Sequence, residues 1–140
     1  LSQPARSAEV EIEVPFHDVD MVGIVWHGHY AKYFEIARCA LLETFHYNYM
    51  EMMASGYGWP VIDLRLRYVK PAQFGQKIRV RATLLEWENR LRIEYLVSDA
   101  ASGERLTKGE TVQVAVHIAT REMCLQSPDV LFERLGVPKP

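Results

Sequence analysis

The sequence predicts an α+β fold in which one antiparallel sheet of about five strands wraps around a single long helix. Three observations carry this. Residues 30–46 contain no Pro or Gly, and their apolar positions recur in steps of three and four. One stretch before residue 16 and four after residue 58 alternate apolar with polar residues, the period of a half-buried strand. Short clusters rich in Gly, Asn, Ser and Asp separate the later stretches.

Taken in order, residues 1–8 read as a flexible N-terminal arm and residues 9–140 as one domain. Val10, Ile12 and Val14 alternate with Glu9, Glu11 and Glu13 and form the first strand. A polar loop follows from His17. On the helix, Tyr30, Tyr33, Phe34, Ala37, Leu41 and Phe45 trace one face, while Lys32, Glu35, Glu43 and His46 lie off it. A further helical turn or two is expected over 47–54, before Ser55-Gly56-Tyr57-Gly58 breaks the pattern. Strands are then expected at 59–69, 77–87, 91–98 and 104–120, the last with Val112, Val114, Val116 and Ile118 facing one way. These four are expected to form a meander joined by tight turns. Ser127-Pro128-Asp129 opens a short final helix that Gly136 ends. A sheet of this kind leaves open edges that invite dimerisation.

Composition narrows the partners. With 140 residues, 49% apolar and 24% charged, the chain is ordinary for a globular domain. A formal charge of −2 gives no reason to expect nucleic acid or an anionic membrane surface. No apolar run approaches the roughly 20 residues of a membrane span. The first residues lack a signal-peptide core, and Cys39 and Cys124 have no motif spacing, so a cytoplasmic location is expected.

The chemistry is concentrated between His17 and His29, where Asp18, Asp20, His17, His27 and His29 crowd around Gly23 and Gly28. Either aspartate has two readings, as nucleophile or general base at a carbonyl, or as a turn and cap former. Asp18, beside the strand end, suits the second better. His27 suits a polar contact at the helix start, toward a ligand or Asp20, or a plain cap. His29 is expected near the N-cap and solvated. The histidines lack the third and fourth ligands of a zinc site, so no metal and no cofactor are expected. Gly23 and Gly28 are read as permitting backbone shapes or close approaches that a side chain would block. There is no phosphate-cradling glycine loop and no Gly-x-Ser-x-Gly. Glu35 and Arg38, three apart, read as an intrahelical ion pair, with Glu35 the rival catalytic carboxylate. Among the basic residues, Arg90 in its turn is best placed for a substrate phosphate.

The stretch Asp18-x-Asp20-x-x-Gly23-x-Val25-Trp26-His27-x-x-Tyr30, continued by Tyr33-Phe34-Glu35-x-Ala37-Arg38 and Tyr68-x-x-Pro71-Ala72, resembles the signature of hotdog-fold acyl-CoA thioesterases. It is similar to the 4-hydroxybenzoyl-CoA thioesterase family and its Tol–Pal-associated branch. The resemblance implies a hotdog fold, an acyl-CoA substrate, and at least a homodimer, with a homotetramer expected. It implies Asp20 as the catalytic carboxylate and the His27 backbone N–H as the group polarising the thioester carbonyl, with the His27 side chain also implicated. Trp26 and Gly28 would adjoin the substrate. Trp59, Pro60 and Val61 would line the acyl pocket from the partner subunit, and Arg90 would meet the CoA phosphates. The sequence departs from some relatives in having Val14 and Phe16 where a helper tyrosine stands, and one cation at 88–90. Rivals are a non-catalytic acyl-CoA binding module and an acyl-thioester hydratase or dehydratase on the same fold.

Overall fold

The computed structural model describes residues 6–140. Strand β1 (Arg6–Glu13) is followed by the polar loop, then by helix α1 (Tyr30–Glu43) and a short helix α2 (Tyr49–Ala54). Next come a two-residue strand β2 (Tyr57–Gly58), then β3 (Val61–Tyr68), β4 (Lys77–Glu86), β5 (Leu91–Asp99) and β6 (Arg105–Gln113). A two-residue β7 (Val116–His117) and helix α3 (Asp129–Leu135) complete the chain.

The alternation in β4 and β5 fixes one buried face. Ile78, Val80 and Ala82 on β4, and Leu91, Ile93, Tyr95 and Val97 on β5, are fully buried. Against them lies α1, whose predicted stripe is buried in full, from Tyr30 to Leu41 with Phe45 beyond it. At its centre the Phe34 ring stacks on Tyr95, 4.4 Å between centroids and 4° from parallel. Gly109 on β6 makes room for that stack, since a Cβ there would collide with the Phe34 ring. Burying this stripe is what stabilises α1, because a 14-residue helix is marginal alone.

Four expectations are corrected. The strands after residue 58 do not form a simple meander: the sheet order is β1-β4-β5-β6-β3, all neighbours antiparallel. β3 pairs with β6, so residues 69–76 cross from one edge region to the far side of β5. A connection of this length, with Pro71 and Gly75 in it, is longer than a hairpin turn and permits the jump. β3 is therefore an edge strand, exposed along most of its length among the described residues, with Leu66 half-buried against the core.

The N-terminal arm is shorter than expected, because Arg6, Ser7 and Ala8 pair with Leu84, Thr83 and Ala82 of the long β4. Residues 1–5 of that arm lie outside the described residues. Helix α1 ends at Glu43 rather than near His46. Its last turn tightens, with the Thr44 hydroxyl donating to the Leu41 carbonyl at 2.6 Å, and His46 takes a left-handed φ of 54°. Asn48 then caps α2 by accepting the Glu51 N–H at 3.0 Å. The expected strand 104–120 divides at Val114-Ala115, where the chain leaves the large sheet to pair β7 with β2. Val112 and Val114 are buried, but Ile118 is exposed. The final helix is as expected, with Gly136 left-handed at its C-terminal end (φ 69°).

Candidate active site

The polar loop folds back on itself and onto the crossover. Val19 bridges Val25 across a turn spanning Asp20 to Gly23. In that turn the Gly23 N–H donates to the Asp20 carbonyl at 3.0 Å and the Asp20 N–H to the Ile24 carbonyl at 2.9 Å. Gly23 adopts φ 81°, a shape that a side chain would strain. The crossover holds the loop from outside: the Val25 N–H donates to the Ala72 carbonyl at 2.8 Å, and the Phe74 N–H to the Gly23 carbonyl at 3.0 Å.

This folding separates the two aspartates. Asp18 is buried, 1% exposed, and is a tertiary anchor rather than a turn former. Its carboxylate accepts hydrogen bonds from Lys32 Nζ and the Tyr33 hydroxyl, each at 2.6 Å. His17 Nε2 and His29 Nδ1 lie 3.7 and 3.8 Å away. Burial raises the Asp18 pKa, but the hydrogen bonds from Lys32 and Tyr33 and the Lys32 charge outweigh it and leave it below the ordinary value. Burial and the same hydrogen bond push the Tyr33 phenol far up. Asp20, by contrast, is exposed. Its Oδ1 accepts the Val22 N–H at 2.9 Å, which orients the carboxylate. Its Oδ2 accepts no hydrogen bond from the described residues.

Helix α1 is entered through a tight turn, His27–His29. The His29 N–H donates to the Trp26 carbonyl at 2.9 Å and the Tyr30 N–H to the His27 carbonyl. The N–H groups of His27 and Gly28 have no acceptor among the described residues. They are the orphan donors that a helix start leaves. The Trp26 ring lies over Gly28 so closely that a Cβ there would collide with it. Trp26 also meets His27 and His29, at centroid distances of 5.0 and 5.4 Å. His29 is half-buried beside Asp18 and not freely solvated.

A cleft of about 310 Å³ opens at this point. Asp20, Trp26 and His27 line it, together with Ile24, Val25 and Tyr30 and the segment Tyr68–Pro71 from the far side. Three predicted site residues thus share one cavity, with Gly28 beneath Trp26. The remaining four lie elsewhere in the same chain. Trp59 is buried in its own core, its Nε1 donating to the Tyr47 hydroxyl at 3.2 Å. Pro60 and Val61 are exposed at the start of the edge strand. Arg90 is held at the β4–β5 turn, its Nε 3.2 Å from both carboxylate oxygens of Glu86. The expected Glu35–Arg38 pair is not made among the described residues; Arg38 reaches inward to the Tyr95 hydroxyl at 3.3 Å. Tyr68 and Lys70 also line the cleft; the sequence signals Tyr68 only by the spacing Tyr68-x-x-Pro71, and Lys70 only as one of several basic residues near strand ends. Lys70 pairs with Glu104 at 2.8 Å.

Residues 14–134 match the thioesterase-like superfamily. The chain belongs to that superfamily. Its fold is the hotdog fold. It resembles the DHNA-CoA thioesterase of Staphylococcus aureus, with a TM-score of 0.78 and 27% identity over 85% of this chain and 80% of that one. A Synechocystis sp. protein bearing an esterase name is 28% identical over 134 residues, 91% of this chain and 77% of that protein. The acyl-CoA thioester hydrolase YbgC of Escherichia coli is 25% identical over 73 residues, 52% of this chain and 54% of the hydrolase. The thioesterase-superfamily match begins just after β1 and covers the loop, α1 and the other four strands of the large sheet. No helix among the described residues is long and apolar enough to cross a membrane.

Proposed function

We propose that this thioesterase-superfamily chain hydrolyses acyl-CoA thioesters. The observation that carries the reading is the sharing of one cleft by an exposed, oriented carboxylate, Asp20, and the start of α1, whose His27 and Gly28 N–H groups have no acceptor among the described residues. The relatives named as acyl-CoA and DHNA-CoA thioester hydrolases support it.

The thioester carbonyl docks against the helix start. There the free N–H groups and the helix dipole stabilise the negative charge that develops on oxygen. Asp20 acts at the carbonyl carbon by one of two balanced routes. As general base it takes a proton from water, whose oxygen adds to the carbon; collapse breaks the C–S bond, and the proton passes to the leaving thiolate. As nucleophile it forms an acyl-aspartyl anhydride and releases the thiolate, and water then cleaves the anhydride. Both yield a carboxylic acid and free CoA. In ¹⁸O-water, a single turnover in which water cleaves the anhydride at the aspartyl carbon carries label into Asp20, so label found there establishes the second route.

His27 contributes its backbone and, at the cleft wall, its ring. Trp26, Tyr30 and Pro71 give the cleft an apolar lining suited to an acyl group. The chain works as a homodimer at least, joined along β3, so that Pro60 and Val61 adjoin the partner's acyl group with Trp59 behind them. Arg90 serves the CoA phosphates after exchanging Glu86 for them. Release of free thiol from a panel of aromatic and aliphatic acyl-CoAs tests the reading. Turnover of at least one class is expected. Saturable binding of acyl-CoAs with no thiol release from any would instead make the chain a binding module.

A further inference from the structure

The crossover does more than close the sheet. Tyr68 ends β3, and its hydroxyl donates to the His27 carbonyl at 3.0 Å. Its ring packs edge-on against Tyr30 at 5.3 Å and His27 at 6.5 Å. Tyr68 is 48% exposed and lines the cleft that also holds Asp20.

The His27 carbonyl and the Gly28 N–H belong to one planar trans peptide unit. Fixing the oxygen therefore fixes the direction of the N–H, which points the opposite way. A hydrogen bond to the carbonyl also polarises the unit and makes its N–H a better donor. That N–H has no acceptor among the described residues, and the Trp26 ring lies against Gly28.

We infer that Tyr68 is a positioning residue, whose hydroxyl locks the His27–Gly28 peptide so that the Gly28 N–H joins that of His27 in holding the thioester oxygen. This rests on the acyl-CoA hydrolase reading. The hydroxyl is not needed to hold the crossover in place. The Val25 N–H to the Ala72 carbonyl (2.8 Å) and the Ala72 N–H to the Tyr30 hydroxyl (3.3 Å) already do that. Burial, and after it the neighbouring Tyr30, push the Tyr68 phenol above its ordinary pKa of 10.0, so it stays a donor at working pH.

The test compares wild type with Tyr68→Phe, which keeps the ring. Thiol release gives kcat and KM, and ¹⁵N–¹H spectra report the Gly28 amide. The expected result is an unchanged melting temperature, KM within about twofold, a kcat about tenfold lower and a displaced Gly28 amide signal. The loss is smaller than the ~100-fold typical of deleting an oxyanion donor, because the donor remains but is less well aimed. An unchanged kcat overturns the inference. So does a raised KM with kcat intact, which would make Tyr68 a cleft wall only. A wild type that releases no thiol from any acyl-CoA would defeat the hydrolase reading itself. In that event an unmoved Gly28 amide overturns the lock, and a displaced one sustains it.

Discussion

Asp18 and Tyr33 are joined by a 2.6 Å hydrogen bond in which a helix hydroxyl donates to a carboxylate buried beneath the loop. The Asp18 carbonyl also accepts the Trp26 N–H at 3.0 Å, so this one residue ties both ends of the polar loop to α1. A hydrogen bond to a buried charge contributes about 1.5–3 kcal/mol. Tyr33→Phe should therefore lower unfolding stability by about 2 kcal/mol in urea titration. A loss below ~0.5 kcal/mol would mean that Lys32 alone satisfies the carboxylate.

Acid should weaken the fold through two carboxylates. The Asp18 pKa is lowered in the folded state. That of Asp99 is lowered from 3.8 to about 2 by hydrogen bonds from Gln76 and from Ser102 and Ala101 in the β5–β6 turn. With folded values below unfolded ones, the unfolded chain takes up protons first. The stabilisation is thus complete above about pH 4 and drains away as pH falls toward 2. Melting temperature measured from pH 6 to 2.5 should fall most steeply below 4, and less steeply in an Asp18→Asn, Asp99→Asn double variant. An equal slope in that variant would remove both groups from the account.

Two glycines should respond in opposite ways to alanine. At Gly109 the added Cβ meets the buried Phe34 ring and, at 2.9 Å, the Arg65 carbonyl, neither of which has room to move. Gly109→Ala should cost about 1–3 kcal/mol of stability, as overpacking does. At Gly28 the obstacle is only the Trp26 ring, half exposed and free to swing. Gly28→Ala should leave stability within ~1 kcal/mol but reduce turnover, because it displaces Trp26 from the cleft. In a Trp26→Ala background the Gly28→Ala effect should largely vanish, a coupling that a double-mutant cycle reads directly.

The periodic elements were legible because their signal is local. The stripe from Tyr30 to Leu41 and the alternation of Ile78 to Leu84 each specify a buried face without reference to the rest of the chain. The place of β3 was not legible, since Val61 to Tyr68 alternate equally well beside β4 or beside β6 and only the length of the crossover distinguishes the two. Within the site, the motif pointed to Asp20, Trp26 and His27, which share a cleft. The role of Asp18 depends on Lys32 and Tyr33, fourteen and fifteen residues on, and the bond from Tyr68 to His27 spans forty-one. Such pairings exist only once the sheet and helix have closed on each other. The signature contains Asp18, His27, Tyr33 and Tyr68, but its spacing does not say which of them touch.

The central claim is that Asp20 performs the chemistry beside the helix start. Asp20→Asn keeps the Oδ1 acceptor for the Val22 N–H and removes the carboxylate. Thiol release from the best acyl-CoA substrate, measured for wild type and Asp20→Asn at matched folding stability, should show kcat lower by about 100-fold or more in the variant. An Asp20→Asn protein that turns over within about threefold of wild type would contradict the account.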